Sequence, residues 1–139
     1  MPFETKRLPT AIDAVAPDGS DVRILVGLGR GSAAHFELGA DETSVAIRHR
    51  TVDEIWFVLS GTGDMWRREG QLPGETIPLV PGTCLTIPVG TDFQFRCTSN
   101  EPLAAFGVTM PPWPGDGEAV RVEGPWRATV RPGPSLADG

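Results

Sequence analysis

A chain of 139 residues with 40% hydrophobic and 22% charged side chains has the length and apolar content of one globular domain that buries its own core. Its net charge of −6, with only 12 Lys and Arg, argues against a phosphate-backbone ligand such as nucleic acid, and no apolar run reaches the roughly 20 residues of a membrane-spanning helix. Cys84 and Cys97 do not make a disulfide framework, and no basic, then apolar leader opens the sequence, so the expected location is the cytoplasm.

Seventeen glycines and fourteen prolines punctuate the chain, which suits many short strands. Residues 1–20 read as a polar lead-in that ends at the turn signal Asp18-Gly19. Residues 21–110 read as the folded body. "DVRILVGLG" and "SAAHFEL" are its first strands; the "GLGRGS" between them lacks a Walker lysine and precedes a strand, so it is a turn and not a phosphate loop. In "TSVAIRHR" the side chains alternate, putting Val45, Ile47 and His49 on one face and Ala46, Arg48 and Arg50 on the other. His49 therefore travels with the apolar, inward set.

"EIWFVLS" is a nearly continuous apolar run, expected to be a strand buried on both faces. After the "GTG" turn, "DMWRR", "ETIPLV", "TCLTIPV", "DFQFRCT" and "LAAFGVTM" complete eight or nine short strands without an amphipathic helix. The pattern is all-β, a sandwich or a barrel. Residues 111–139 form a Pro-rich tail, unable to join a central sheet, that is expected to wrap the outside through Trp113 and Trp126 and to fray over its last six residues.

Several residues stand at telling intervals. His49 is followed after four residues by Glu54, Glu54 after six by Gly61, and Gly82, Pro88 and Gly90 recur further on. They resemble the two motifs of the cupins, written G-x5-H-x-H-x(3 or 4)-E-x6-G and G-x5-P-x-G-x2-H-x3-N, and "HRTVDEIWFVLSG" with "TIPVGTDFQFR" is similar to small single-domain cupins. The resemblance implies a double-stranded β-helix, a jelly-roll barrel of two facing antiparallel sheets with a cavity at one mouth, in a homodimer. In cupins with the full pattern, three histidines and a glutamate hold a divalent transition metal. Here Ile47 and Phe93 stand at two of the histidine positions, Cys97 at the asparagine and Asp41 at the leading glycine. His49 and Glu54 remain as metal ligands, with Asp92 or His35 as candidates to complete the set. Alternation turns Asp92 away from the cavity with Gln94 and Arg96, and Phe36 and Leu38 claim the face opposite His35. The cofactor is thus unknown, a divalent metal being one option.

The surviving pair has chemistry of its own. A carboxylate beside an imidazole inside an apolar barrel has perturbed proton affinities and forms an acid–base dyad. With Ile47, Trp56, Val58, Phe93, Phe95 and Phe106 as the expected walls, the cavity suits a small, largely apolar or aromatic molecule. Proton transfer on such a ligand covers isomerisation, epimerisation, cyclisation and elimination. The competing readings are a degenerate metallocupin acting as oxygenase or isomerase, a non-catalytic small-molecule-binding module, and a buried His–Glu pair that only serves structure. Asp53 reads as a solvated rim residue, Met65 and Trp66 as packing, and both cysteines as apolar fillers.

Overall fold

The computed structural model describes residues 2–137. Its strands, in chain order, are β1 (Ala14–Val15), β2 (Asp21–Leu28), β3 (Gly31–Leu38), β4 (Ile47–His49), β5 (Asp53–Ser60), β6 (Gly63–Glu69), β7 (Glu75–Leu79), β8 (Cys84–Ile87), β9 (Thr91–Cys97), β10 (Leu103–Met110) and β11 (Ala119–Arg121). Among the described residues no helix is long and apolar enough to cross a membrane.

Two antiparallel sheets face each other. One has the order β1-β2-β3-β10-β5-β8, the other β11-β4-β9-β6-β7. Strands adjacent in space are therefore often distant in sequence: β10 lies between β3 and β5, and β9 between β4 and β6. This is the jelly-roll, double-stranded β-helix arrangement. Gly61 turns the chain from β5 into β6 with φ at 75°, where a Cβ would also lie 2.4 Å from the Pro102 carbonyl oxygen. Only glycine satisfies both demands, which explains the residue that closes the first motif.

Alternation along the strands seats the core. On β5, Glu54, Trp56 and Val58 point inward and are buried, while Asp53, Ile55, Phe57 and Leu59 point outward and are exposed. The apolar run is thus not buried on both faces, contrary to the sequence reading. The strand belongs to an antiparallel sheet, and no described residue covers the outer side of β5. Inside, Trp56, Val58, Met65, Phe93 and Phe95 fill the space between the sheets, with Trp56 edge-on to Phe95 at 4.9 Å. Each such side chain contributes roughly 2–3 kcal/mol by leaving water.

β9 is the exception, buried on both sides. Its outward-pointing Gln94 is 1% exposed because the tail lies across it. Gln94 Nε2 donates to the carbonyls of Ser44 (2.8 Å) and Trp126 (2.9 Å), and its Oε1 accepts the Trp126 backbone N–H at 3.1 Å. Arg96 covers the Trp126 ring at 4.2 Å. Replacing Gln94 with Ala strands three polar backbone groups and is expected to lower the unfolding free energy by about 2–4 kcal/mol. Urea denaturation checks this, and an unchanged midpoint would show that the tail is held elsewhere.

The tail and the lead-in are more integrated than their composition suggests. Ala119–Arg121 joins the five-stranded sheet as an edge strand beside β4, so the tail adds a strand at the edge while its prolines stay out of the sheet centre. An edge position needs backbone donors on one side only, which a strand flanked by prolines can supply. The Gly133 N–H donates to the Ala16 carbonyl at 2.9 Å, and a Cβ at Gly133 would lie 2.1 Å from the Val15 carbonyl oxygen. Tail and lead-in thus cross in a contact that admits only glycine. Of the six final residues expected to fray, Ala137 donates to the Ala119 carbonyl at 3.0 Å and Leu136 to that of Gly133 at 3.2 Å; residues 138–139 lie outside the described residues.

Candidate active site

His49 ends β4 in one sheet, opposite Ala119 of β11. Glu54 is the second residue of β5 in the other, between Ile87 of β8 and Thr109 of β10. Residues 50–52 carry the chain from one sheet to the other, so two side chains five positions apart meet face to face. His49 Nδ1 lies 3.8 Å from Glu54 Oε1, beyond hydrogen-bond range. Both residues are buried, at 3% and 4% exposure, and Nδ1 has no hydrogen-bond partner among the described residues. Glu54 Oε2 instead accepts the indole N–H of Trp56 at 2.6 Å, since residues two apart on a strand share a face.

Burial decides the protonation states. It pushes the Glu54 carboxyl up from 4.5 to about 8; the Trp56 hydrogen bond opposes the rise, and the negative charges of Asp18 and Glu118 add to it. Burial also lowers the His49 imidazole from 6.5 to about 4, against the pull of Glu118. At neutral pH Glu54 keeps its proton and His49 carries none beyond the neutral imidazole's own. The pair is an uncharged acid next to an uncharged base.

A cavity of about 300 Å³ opens onto these groups. Ile47, His49, Glu54 and Trp56 line it, together with Phe36 and Trp113. Val58, Phe93 and Phe95, expected at its wall, sit behind it in the core; Phe93 touches the His49 ring edge-on at 5.3 Å. Phe106 does not face the cavity at all. The inward residues of β10 at this level are Ala105 and Gly107, and Phe106 stands on the outer face beside His35 and Phe57. Its place is taken by Phe36, stacked on Trp56 at 5.3 Å, where a Cβ at Gly107 would press to 2.5 Å of the Phe36 ring.

Three residues of the wall and its backing were not foreseen. Asp18, the lead-in turn residue, is buried against the cavity, its Oδ1 accepting the backbone N–H (2.9 Å) and hydroxyl (2.6 Å) of Ser20; burial raises its pKa. Glu118 precedes β11. Burial alone would raise its pKa, but the Thr51 hydroxyl and the backbone N–H groups of Thr51 (2.8 Å) and Val52 (3.2 Å) hold it below the ordinary value. Trp113 sits edge-on to His49 at 5.3 Å. The Asp-Gly pair and the tryptophan were visible as turn and anchor, but nothing local tells which cavity they close.

The residues present do not fit the metal centre of the full cupin pattern. Among the described residues no group of three or more His, Cys, Asp or Glu is placed to hold an ion, and a transition-metal site takes three or four such donors. Asp92 lies on the outer face between Arg48 Nε (2.7 Å) and Arg68 Nη2 (2.8 Å). His35 is also outward, opposite Arg23 and Phe106. Neither candidate reaches His49 and Glu54, because each obeys the alternation of its strand. Cys97 is buried, its Sγ 3.2 Å from the Glu101 carbonyl, whereas Cys84 is exposed and fills no core space.

No curated protein matches the sequence, while many solved structures share its fold. The capsular polysaccharide assembling protein CapF from Staphylococcus aureus superposes with a TM-score of 0.69 at 15% identity, over 86% of this chain and 35% of that one. Oxalate decarboxylase from Bacillus subtilis gives 0.67 at 14% identity, over 79% of this chain and 29% of that one. A Bacillus halodurans protein of similar size gives 0.61 at 20% identity, over 89% and 81%. The chain thus spans about a third of the first two, and at these identities the likeness is one of fold. A family model for the cupin domain matches residues 34–109, from β3 through β10. With the two motifs now seen to shape the turn after β5 and to set His49 against Glu54 in the barrel, the chain belongs to the cupin family.

Proposed function

We propose that the chain is a small enzyme that moves a proton on a small, largely apolar or aromatic molecule, with Glu54 as acid and His49 as base. The observation that carries this reading is the buried, partnerless His49 Nδ1 set 3.8 Å from a carboxyl that burial keeps protonated. Buried polar atoms are almost always paired, so an unpaired imidazole nitrogen facing a protonated carboxyl, on two residues that line the cavity, supports a pair kept for proton exchange. Glu54 donates its proton to the ligand while the imidazole accepts one, and Glu118, behind His49, steadies the imidazolium that forms. Protons given and taken balance, as isomerisation, epimerisation and cyclisation require. The experiment is a pair of near-isosteric replacements, His49→Gln and Glu54→Gln, assayed for turnover and for ligand binding; retention of turnover by both variants refutes the reading.

Oxalate, the substrate in one relative's name, is a poor match. No Lys or Arg lines the cavity, and a dianion would enter an apolar space without counter-charge. Ile47 and Phe93 at two ligand positions also support a second reading, a binding module without catalysis; it predicts ligand affinity with no turnover of any bound molecule.

We also read the chain as a homodimer. Ile55, Phe57, Leu59 and Phe106 are 41%, 44%, 47% and 37% exposed on one outer sheet face, an apolar patch of the kind that partners cover. Sedimentation equilibrium is expected to return twice the chain mass of 14.9 kDa; a concentration-independent monomer contradicts it.

A further inference from the structure

Among the described residues four carboxyl groups are buried, and the protein treats them in two ways. Asp92 lies between two arginines, and Glu118 is held by a hydroxyl and two backbone N–H groups. Asp18 and Glu54 have no cationic partner among the described residues, and both line the cavity. Asp18 spends one oxygen on Ser20 and leaves Oδ2 without a hydrogen bond among the described residues; Glu54 has only the Trp56 N–H. On the same wall His49, 97% buried, keeps its Nδ1 unpaired. No Lys or Arg contributes to this wall, whereas the rings of Phe36, Trp56 and Trp113 do.

We propose that the cavity is built for a small organic cation, an apolar amine, whose ammonium is taken by Asp18 while its body packs against Phe36, Trp56 and Trp113. A buried carboxyl without a counter-ion is costly in an apolar medium, and a cationic ligand supplies what the protein withholds. Aromatic faces add to the attraction, because a desolvated cation is drawn to the π-cloud of tryptophan. Of the titratable groups at the cavity, Asp18 neutralises the ammonium, Glu54 and His49 remain the neutral acid and base, and Glu118 backs His49 from just before β11. The inference rests on this cavity being the ligand site, as in the proposed function, yet it concerns binding alone.

Three probes of one shape separate the cases: benzylamine, benzyl alcohol and benzoate, titrated calorimetrically into the full chain at neutral pH. Benzylamine is expected to bind roughly tenfold or more tighter than benzyl alcohol, with benzoate weakest. Asp18→Asn keeps an oxygen for Ser20 and is expected to erase the preference for the amine. Failure of the proton-transfer reading is distinguishable, since turnover that survives His49→Gln and Glu54→Gln removes that reading and leaves the charge preference untouched. Equal or tighter binding of the alcohol or of benzoate by the wild-type chain, no binding of any probe, or an amine preference that survives Asp18→Asn overturns the proposal.

Discussion

His49→Gln is expected to lower the turnover number about 10²- to 10⁴-fold while ligand affinity stays within a few-fold of wild type. Glutamine fills nearly the volume of the imidazole and keeps its contacts with Phe93 and Trp113, but it neither accepts nor carries a proton. A group that works only in the transition state affects kcat and kcat/KM alike, whereas loss of a packing contact would appear mainly in KM. Steady-state kinetics together with calorimetric binding separates the two. A raised KM at constant kcat would make His49 a wall residue and not a base.

The second large effect is thermodynamic and needs no substrate. Folding holds the Glu54 carboxyl at about 8, against 4.5 for the free group. The folded state thus binds one more proton than the unfolded state between those two values, and wild-type stability falls as pH rises through the window. Glu54→Gln removes that titration and still presents an oxygen to the Trp56 N–H. The variant is expected to match wild type near pH 4.5 and to exceed it progressively, by about 5 kcal/mol above pH 8, where the difference stops growing. His49 acts at the other end: its folded value of about 4 against 6.5 costs stability only as pH falls below 6.5. The two proteins share that loss, so it cancels in the comparison. Urea unfolding at pH 5 and pH 8.5 measures the effect, and a stability difference independent of pH would show a solvated, ordinary carboxylate.

Much of this site was legible because strands impose a period of two. That rule put His49 inward with Ile47, turned Asp92 away, and combined with the six-residue interval from Glu54 to Gly61 to fix the frame. The same rule, applied to β10, would have sent Phe106 outward; its aromatic character suggested a wall, but Gly107 is the inward neighbour that leaves room for Phe36. The outer face of β5 was misread for a different reason. Ile55, Phe57 and Leu59 are as apolar as the inward set, and composition does not reveal whether anything covers a face. Asp18, Glu118 and Trp113 were beyond local reasoning altogether. They reach the site through contacts across some 30 to 70 positions, such as Thr51 with Glu118 at 67 apart, and a turn aspartate or a tail glutamate looks like any other until the ends of the chain fold over the barrel.

The account depends on an uncharged carboxyl and an uncharged imidazole facing each other in an apolar cavity. Carbon-13 NMR of the Glu54 side-chain carboxyl across the pH range tests this most directly, read beside the ring signals of His49, one of only two histidines in the chain. The account predicts a Glu54 midpoint near 8 and a His49 ring that stays neutral until about pH 4. A Glu54 midpoint near its ordinary 4.5, with His49 titrating near 6.5, would place both groups in water and contradict it.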